Sequence, residues 1–310
     1  MKHVCVFGMG GIGGYMTARF VSAKSADPKS GLFITCVARG ESLKALDEKG
    51  LCFRRPDGEE EFCRPDLLTD NLKALPEQDL IIMSVKSYDL AAACAAINPA
   101  PKTVIMPLLN GVDIYERIRS GVSSGIVLPA CIYISALRQE PGCFVHVGGK
   151  GNTIAGNDPL HKEFDPAPLI SLMAASGIPF EWQADPFPAL WKKYLFIASY
   201  GLVTGMSGKP FGYVLENAEL SAAVQNIMKE IHAIAAAKGV ELPESVIMSS
   251  YENARNFPYE TTTSFARDVQ VSGRPNESDI FGATILRLGR DLGIPTPAAK
   301  AAHDAIMRKS

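Results

Sequence analysis

Val4-Cys5-Val6-Phe7-Gly8-Met9-Gly10-Gly11-Ile12-Gly13-Gly14-Tyr15 is the stretch that decides the fold of this 310-residue chain. An apolar run leads straight into a G-x-G-x-x-G string, and Tyr15 to Ala23 then reads as helix. A buried strand, a tight glycine turn and a helix place backbone N–H groups at a helix N-terminus, where the dipole favours a pyrophosphate. Each glycine has its own task in such a turn. Gly8 lets the chain reverse, Gly10 keeps a side chain away from a phosphate, and Gly13 lets helix and strand approach closely. An ordinary strand-to-helix turn is the plain alternative. The position of the string between a strand and a helix favours a dinucleotide site.

Working outward, Leu32 to Ala38 is β-branched and apolar and predicts a second strand ending at Arg39. In a βαβ unit that binds NAD, this strand end carries Asp or Glu for the ribose hydroxyls. A guanidinium there would instead attract a 2′-phosphate, which favours NADP(H), although Glu41 blurs the local charge. Ser42 to Lys49 predicts a short helix closed by Gly50, and Pro56-Asp57-Gly58 predicts a hairpin turn between Leu51–Arg55 and Glu60–Arg64. Asp79 to Lys86 and Thr103 to Leu108 predict buried strands. Lys86 and Asn110-Gly111 lie just past their C-terminal ends, the edge where doubly wound sheets bind ligands; lone polar residues there are also ordinary turn formers. Ile126 to Tyr133 predicts one further strand. Gly148-Gly149-Lys150-Gly151 predicts a hairpin turn between short strands at Phe144–Val147 and Thr153–Ala155.

Past Asp185-Pro186-Phe187-Pro188 nearly everything reads as helix: Leu190 to Thr204, Ala218 to Lys238, Pro243 to Asn253 and Ile280 to Leu292. The expected fold class is therefore α/β, with an N-terminal Rossmann-like dinucleotide-binding domain over 1–184 and a C-terminal all-helical domain over 185–310. The apolar stripe within 221–237 is read as core packing, though it could form a dimer face.

Composition narrows the partners. The chain is 47% hydrophobic with a net charge of -2 and a pI near 6.2, so nothing in it points to nucleic acid or an anionic membrane. Its seven cysteines are odd in number and contain no C-x-x-C. They read as reduced, buried thiols of a cytoplasmic protein, with no metal site implied. No apolar run is long enough to span a bilayer, and the glycine-broken start makes a poor signal peptide.

The helical half contributes Leu190-Trp191-Lys192-Lys193-Tyr194, Ser264-Phe265-Ala266-Arg267-Asp268 and Gly273-Arg274-Pro275-Asn276-Glu277-Ser278-Asp279. With the N-terminal glycines, Arg39, Val85-Lys86-Ser87 and Asn110-Gly111-Val112, these segments resemble the ketopantoate reductase (2-dehydropantoate 2-reductase) family over nearly the whole length. The resemblance implies reduction of a 2-keto carbon by NADPH, converting ketopantoate to D-pantoate for pantothenate and coenzyme A synthesis. It implies Lys193 as general acid with Glu277 as its catalytic partner, and Ser264 and Asn110 as substrate-binding residues. It assigns the cofactor to Gly8, Met9, Gly10, Gly11, Ile12, Gly13, Arg39, Lys86, Asn110 and Glu277; the oligomeric state, monomer or homodimer, is not readable from the sequence. Chemistry agrees: hydride addition puts negative charge on the keto oxygen, and an ammonium can stabilise that charge and then donate a proton.

The departures from the family pattern bear on the substrate. The family carries asparagines four and eight residues after the lysine, on one helix face. Here Ile197 and Gly201 occupy those positions, Phe265 replaces a methionine, and the Ser264-to-Glu277 interval is one residue longer. A more apolar branched 2-keto acid is thus an alternative substrate. A non-catalytic dinucleotide sensor is an alternative of another class. One N-terminal βαβ unit argues against a flavin enzyme.

Overall fold

The computed structural model describes residues 1–271, 273 and 275–309, so Arg274 of the Gly273-Arg274 pair lies outside the described residues. Packing divides the chain into two compact units. One comprises Met1–Leu109 and Ile114–Pro186; the other comprises Asn110–Asp113 and Phe187–Ser310.

In the first unit the strands are β1 His3–Phe7, β2 Phe33–Val37, β3 Leu51–Arg54, β4 Glu60–Cys63, β5 Leu67–Thr69, β6 Leu80–Met83, β7 Val104–Pro107, β8 Ile126–Val127, β9 Ala130–Glu140, β10 Cys143–Gly156 and β11 Phe180–Gln183. Its helices are α1 Gly11–Ala26, α2 Gly40–Lys49, α3 Ser87–Ala96, α4 Ile114–Gly121 and α5 Ala167–Ala175. Six strands form a parallel sheet in the order β5-β2-β1-β6-β7-β8. The order reverses around β1, the topology of a Rossmann-like fold, and this creates a crevice beyond the strand ends. The central strands are continuous apolar runs because helices cover both faces: Val4, Cys5, Val6, Leu80, Ile82, Ile105 and Met106 are fully buried.

A second sheet, β11-β10-β3-β4 with β9 paired to β10, packs against α1. It corrects two expectations. Ile126 to Tyr133 is not one strand: the chain breaks at Leu128-Pro129, leaving β8 in the first sheet and starting β9 in the second. Pro129 has no N–H with which to continue a ladder. Gly148 to Gly151 is not a hairpin turn either. It lies inside the long strand β10, where register shifts flank Gly148 and both Gly149 and Gly151 adopt φ of 76°. Such bulges bend a strand without ending it. The real hairpin turn is Pro141-Gly142, with Gly142 at φ 81°.

The second unit contains α6 Phe187–Ser207, α7 Phe211–Glu216, α8 Ala218–Ala237, α9 Ser245–Asn253, α10 Ser264–Val269, α11 Thr284–Leu292 and α12 Pro297–Met307. The central helix α6 packs against α8, α10 and α12. It is apolar around most of its circumference, as a helix enclosed by others must be; Leu195, Ala198, Tyr200, Leu202 and Val203 are fully buried. The α8 stripe is core, with Val224, Ile227, Met228 and Ile231 at zero exposure. Asn217 caps α8 by accepting from the Leu220 amide at 3.0 Å.

All seven cysteines are free thiols, but Cys52 and Cys63 are only half-buried, short of the burial expected. Among the described residues no helix is long and apolar enough to cross a membrane.

Candidate functional site

The glycine turn is built as a close junction with one open face. Gly8 has φ of 103°, a conformation that disfavours any side chain. The Ser84 hydroxyl donates to the Gly8 carbonyl at 2.8 Å and fixes the turn. A Cβ on Gly13 would stand 2.0 Å from that same carbonyl oxygen, so only glycine lets α1 approach β1 so closely. The second sheet sets two further limits: a Cβ on Gly11 would meet the Ala136 carbonyl at 2.2 Å, and one on Gly14 would meet the Phe144 ring at 2.2 Å. These two constraints were not legible in the sequence, because the partner strands lie more than a hundred residues away.

Gly10 is different. A Cβ there would meet nothing within 4 Å, so the protein's own packing does not require a glycine. Gly10 is the N-cap of α1, makes no side-chain cap, and has extended backbone at φ -93°. The first N–H groups of any helix lack intrahelical acceptors. At α1 they stand beside open space, a cradle suited to a pyrophosphate. Met9 is buried, within reach of the Thr17 hydroxyl at 3.7 Å, and Gly11 and Ile12 are half-buried.

Arg39 and Lys86 occupy equivalent places, as N-caps of α2 and α3. The Arg39 side chain is 75% exposed and pairs with Asp89 in the first turn of α3. The hydrogen bond and charge of Asp89 hold the Arg39 guanidinium still more firmly protonated than usual. Asp89 accepts through its side chain while its amide donates to the Lys86 carbonyl at 2.9 Å. The sequence sets Glu41 near Arg39 but does not mark Asp89 as its partner. Its position three residues after Lys86, at the start of a helix, was the available signal.

In the second unit, Lys193 and Asn110 come together. The half-buried Lys193 donates from Nζ to Asn110 Oδ1 at 3.0 Å, across 83 positions of sequence. The segment carrying Asn110 is anchored by Asp113, which is 5% exposed. Asp113 Oδ2 accepts from the Thr284 hydroxyl at 3.1 Å and from Arg287 Nη2 at 2.7 Å. This clamp was not anticipated, since no local pattern marks it.

The next residue on α6, Tyr194, donates its hydroxyl to the Ile280 carbonyl at 2.5 Å. That bond ties the Lys193 turn to the segment after Glu277. Glu277 is 5% exposed, and its carbonyl accepts from the Ile280 and Phe281 amides at 3.1 Å. A five-residue π turn, Asp279–Ala283, follows and leads into α11; such turns recur at functional sites. Ser264 is the exposed first residue of α10, whose N-terminus Thr263 caps by accepting from the Ala266 amide at 3.0 Å. Lys192 points to solvent.

The α6 face beyond Lys193 is apolar. Ile197 is half-buried, and a Cβ on Gly201 would touch Phe265 and Phe281 at 3.5 Å, an ordinary contact. These two rings stack at 4.7 Å between centroids and are almost fully buried. At Gly201 the helix is therefore backed by aromatic carbon, and neither Gly201 nor Ile197 offers a side-chain amide.

The sequence model of the family described as ketopantoate reductase PanE/ApbA matches residues 4–159. That of the PanE/ApbA C-terminal domain matches residues 187–310. The chain is similar to the 2-dehydropantoate 2-reductase of Halobacterium salinarum, with 27% identity over 86% of this chain and 88% of that protein. It is also similar to the uncharacterised oxidoreductase YkpB of Bacillus subtilis, with 24% identity over 98% of this chain and 97% of that protein. Among solved structures, a PanE/ApbA family ketopantoate reductase from Ralstonia eutropha superposes with a TM-score of 0.87. It is 27% identical and covers 100% of this chain and 98% of its own.

Proposed function

The chain belongs to the ketopantoate reductase family of nicotinamide-dependent oxidoreductases, and from that premise we propose that it is an NADPH-dependent 2-dehydropantoate 2-reductase, reducing ketopantoate to D-pantoate for pantothenate and coenzyme A synthesis. The observation that carries this reading is the Lys193 ammonium held by Asn110 at 3.0 Å. An ammonium positioned by a neutral amide oxygen is placed to donate an N–H to a developing oxyanion.

The residues then divide the work. The open face above Gly10, with the α1 amides, holds the pyrophosphate, while Arg39 takes the 2′-phosphate and Lys86 the adjoining ribose or phosphate oxygens. Bound cofactor supplies the hydride that the 2-keto carbon accepts. Lys193 stabilises the negative charge that develops on the keto oxygen and gives that oxygen a proton from Nζ, a contribution of about 10²–10⁴-fold. Ser264 holds the substrate carboxylate or hydroxyl without adding charge. Glu277 orients Lys193 and accepts a substrate hydroxyl. We further propose that residues 1–184 serve the cofactor and 185–310 the substrate, with Asn110 contributing to both, and that the protein acts in the cytoplasm as a monomer or homodimer.

The apolar face at Ile197 and Gly201 favours a second reading, reduction of a branched 2-keto acid without a 4-hydroxyl. Such a hydroxyl would need a partner other than an α6 amide. Turnover of purified protein with NADPH, measured on ketopantoate and 2-ketoisovalerate, decides between them. Faster reduction of ketopantoate supports the first reading. The reverse order supports the second, and NADPH binding with no turnover on any 2-keto acid supports a sensor.

A further inference from the structure

The charge that recommends Arg39 for a 2′-phosphate is already engaged. Its guanidinium pairs with Asp89, whose side chain is 28% exposed. Arg39 stands at the end of β2 and Asp89 in the first turn of α3, after β6; β1 lies between those two strands in the sheet. The ion pair therefore bridges the strand ends on either side of the glycine turn, across the crevice where the adenosine half of a dinucleotide lies in this fold. Asp89 sits near the positive end of the α3 dipole, with Lys86 three residues before it as the helix N-cap. Glu41, in the first turn of α2, adds a second carboxylate beside Arg39.

The two nicotinamide cofactors meet this arrangement differently. A 2′-phosphate dianion must displace Asp89 from the guanidinium or share it. By occupying the guanidinium, Asp89 takes from the 2′-phosphate a charge-assisted hydrogen bond worth about tenfold in affinity. A ribose 2′-hydroxyl carries no charge and can donate a hydrogen bond to the carboxylate. The same side chain thus works against NADPH and with NADH.

We infer that Asp89 is the residue that sets cofactor preference in this chain: by holding Arg39 it counterbalances the 2′-phosphate site, so that the protein uses NADH alongside NADPH. The inference rests on the assignment of Arg39 to the 2′-phosphate made above. Asp89 acts as a specificity residue at the adenosine end and takes no part in hydride or proton transfer.

The test is a fluorescence titration of the full-length protein with NADPH and with NADH, for the parent, Asp89→Asn, Asp89→Gln and each variant combined with Arg39→Ala. The parent should bind the two cofactors within about tenfold of one another. Asp89→Asn and Asp89→Gln should each tighten NADPH by about tenfold, leave NADH unchanged or weaker, and lose that gain once Arg39 is alanine. Either asparagine or glutamine keeps a polar side chain at this partly exposed position, and one folded variant of the two suffices. An NADPH-to-NADH ratio unmoved by both substitutions, or a gain that survives the loss of Arg39, overturns the inference and leaves the dinucleotide site standing. Failure of the parent to bind either cofactor overturns the site and the inference together.

Discussion

Replacing Gly10 and Gly13 by alanine, one at a time, separates a glycine needed by a ligand from one needed by the fold. At Gly13 the new methyl would stand 2.0 Å from the Gly8 carbonyl oxygen, a backbone atom that no rotamer change can move aside. Overpacking of that kind costs about 3 kcal/mol, and the better helix propensity of alanine returns about 1. A net loss of about 2 kcal/mol lowers the melting temperature by about 4–8 °C for a unit of this size. At Gly10 the methyl would meet no protein atom within 4 Å, and the backbone at φ -93° suits alanine. The poorer N-cap and the stiffer unfolded chain nearly cancel, so the melting temperature should stay within about 2 °C of the parent. The same methyl would hold a pyrophosphate off the α1 amides. Losing one or two charge-assisted hydrogen bonds weakens NADPH by roughly tenfold to a few hundredfold. Thermal unfolding and NADPH titration on both variants read the two effects. A Gly10→Ala protein that unfolds early yet binds normally would refute the reasoning, as would a Gly13→Ala protein indistinguishable from the parent.

Other consequences can be checked on the same preparations. Arg39→Asp should weaken NADPH by about a hundredfold and NADH far less, through loss of a charge-assisted bond and gain of a repulsion; equal losses would remove Arg39 from the 2′-phosphate. Ile197→Asn restores an amide on the Lys193 face of α6 and should raise kcat/KM for ketopantoate over 2-ketoisovalerate by about 2–10-fold; no change in that ratio would take position 197 out of substrate selection. Asp113→Ala strips the acceptor shared by Thr284 and Arg287. It should destabilise the second unit by about 1–3 kcal/mol in chemical denaturation, and an unshifted midpoint would deny the clamp its role.

What could be read in advance follows from the range of the forces involved. The strand–glycine–helix junction is local, and its pattern survives intact in β1, Gly8 and α1. The apolar periodicity of α8 is local as well, and its stripe is core. Features set by distant partners were hidden. Gly11 and Gly14 are constrained by Ala136 and Phe144, on a second sheet that no short window announces. The glycines at 148–151 have turn chemistry, yet pairing with β9 carries the strand through them as bulges. Pro129 divides one apolar run between two sheets. In the candidate site, resemblance directed attention to Lys193 and Asn110 separately, and folding brings them to 3.0 Å. Asp89 and Asp113 escaped notice because a carboxylate gains meaning only from the guanidinium it meets, Arg39 in one case and Arg287 in the other.

The central claim is that Lys193 delivers the proton in a reduction whose cofactor is held elsewhere. Its most direct measurement is single-turnover NADPH oxidation by Lys193→Ala in the presence of saturating 2-keto acid, alongside an NADPH titration of the same protein. The rate should fall by about 10²–10⁴-fold with the NADPH dissociation constant unchanged. Turnover at the parent rate would contradict the claim.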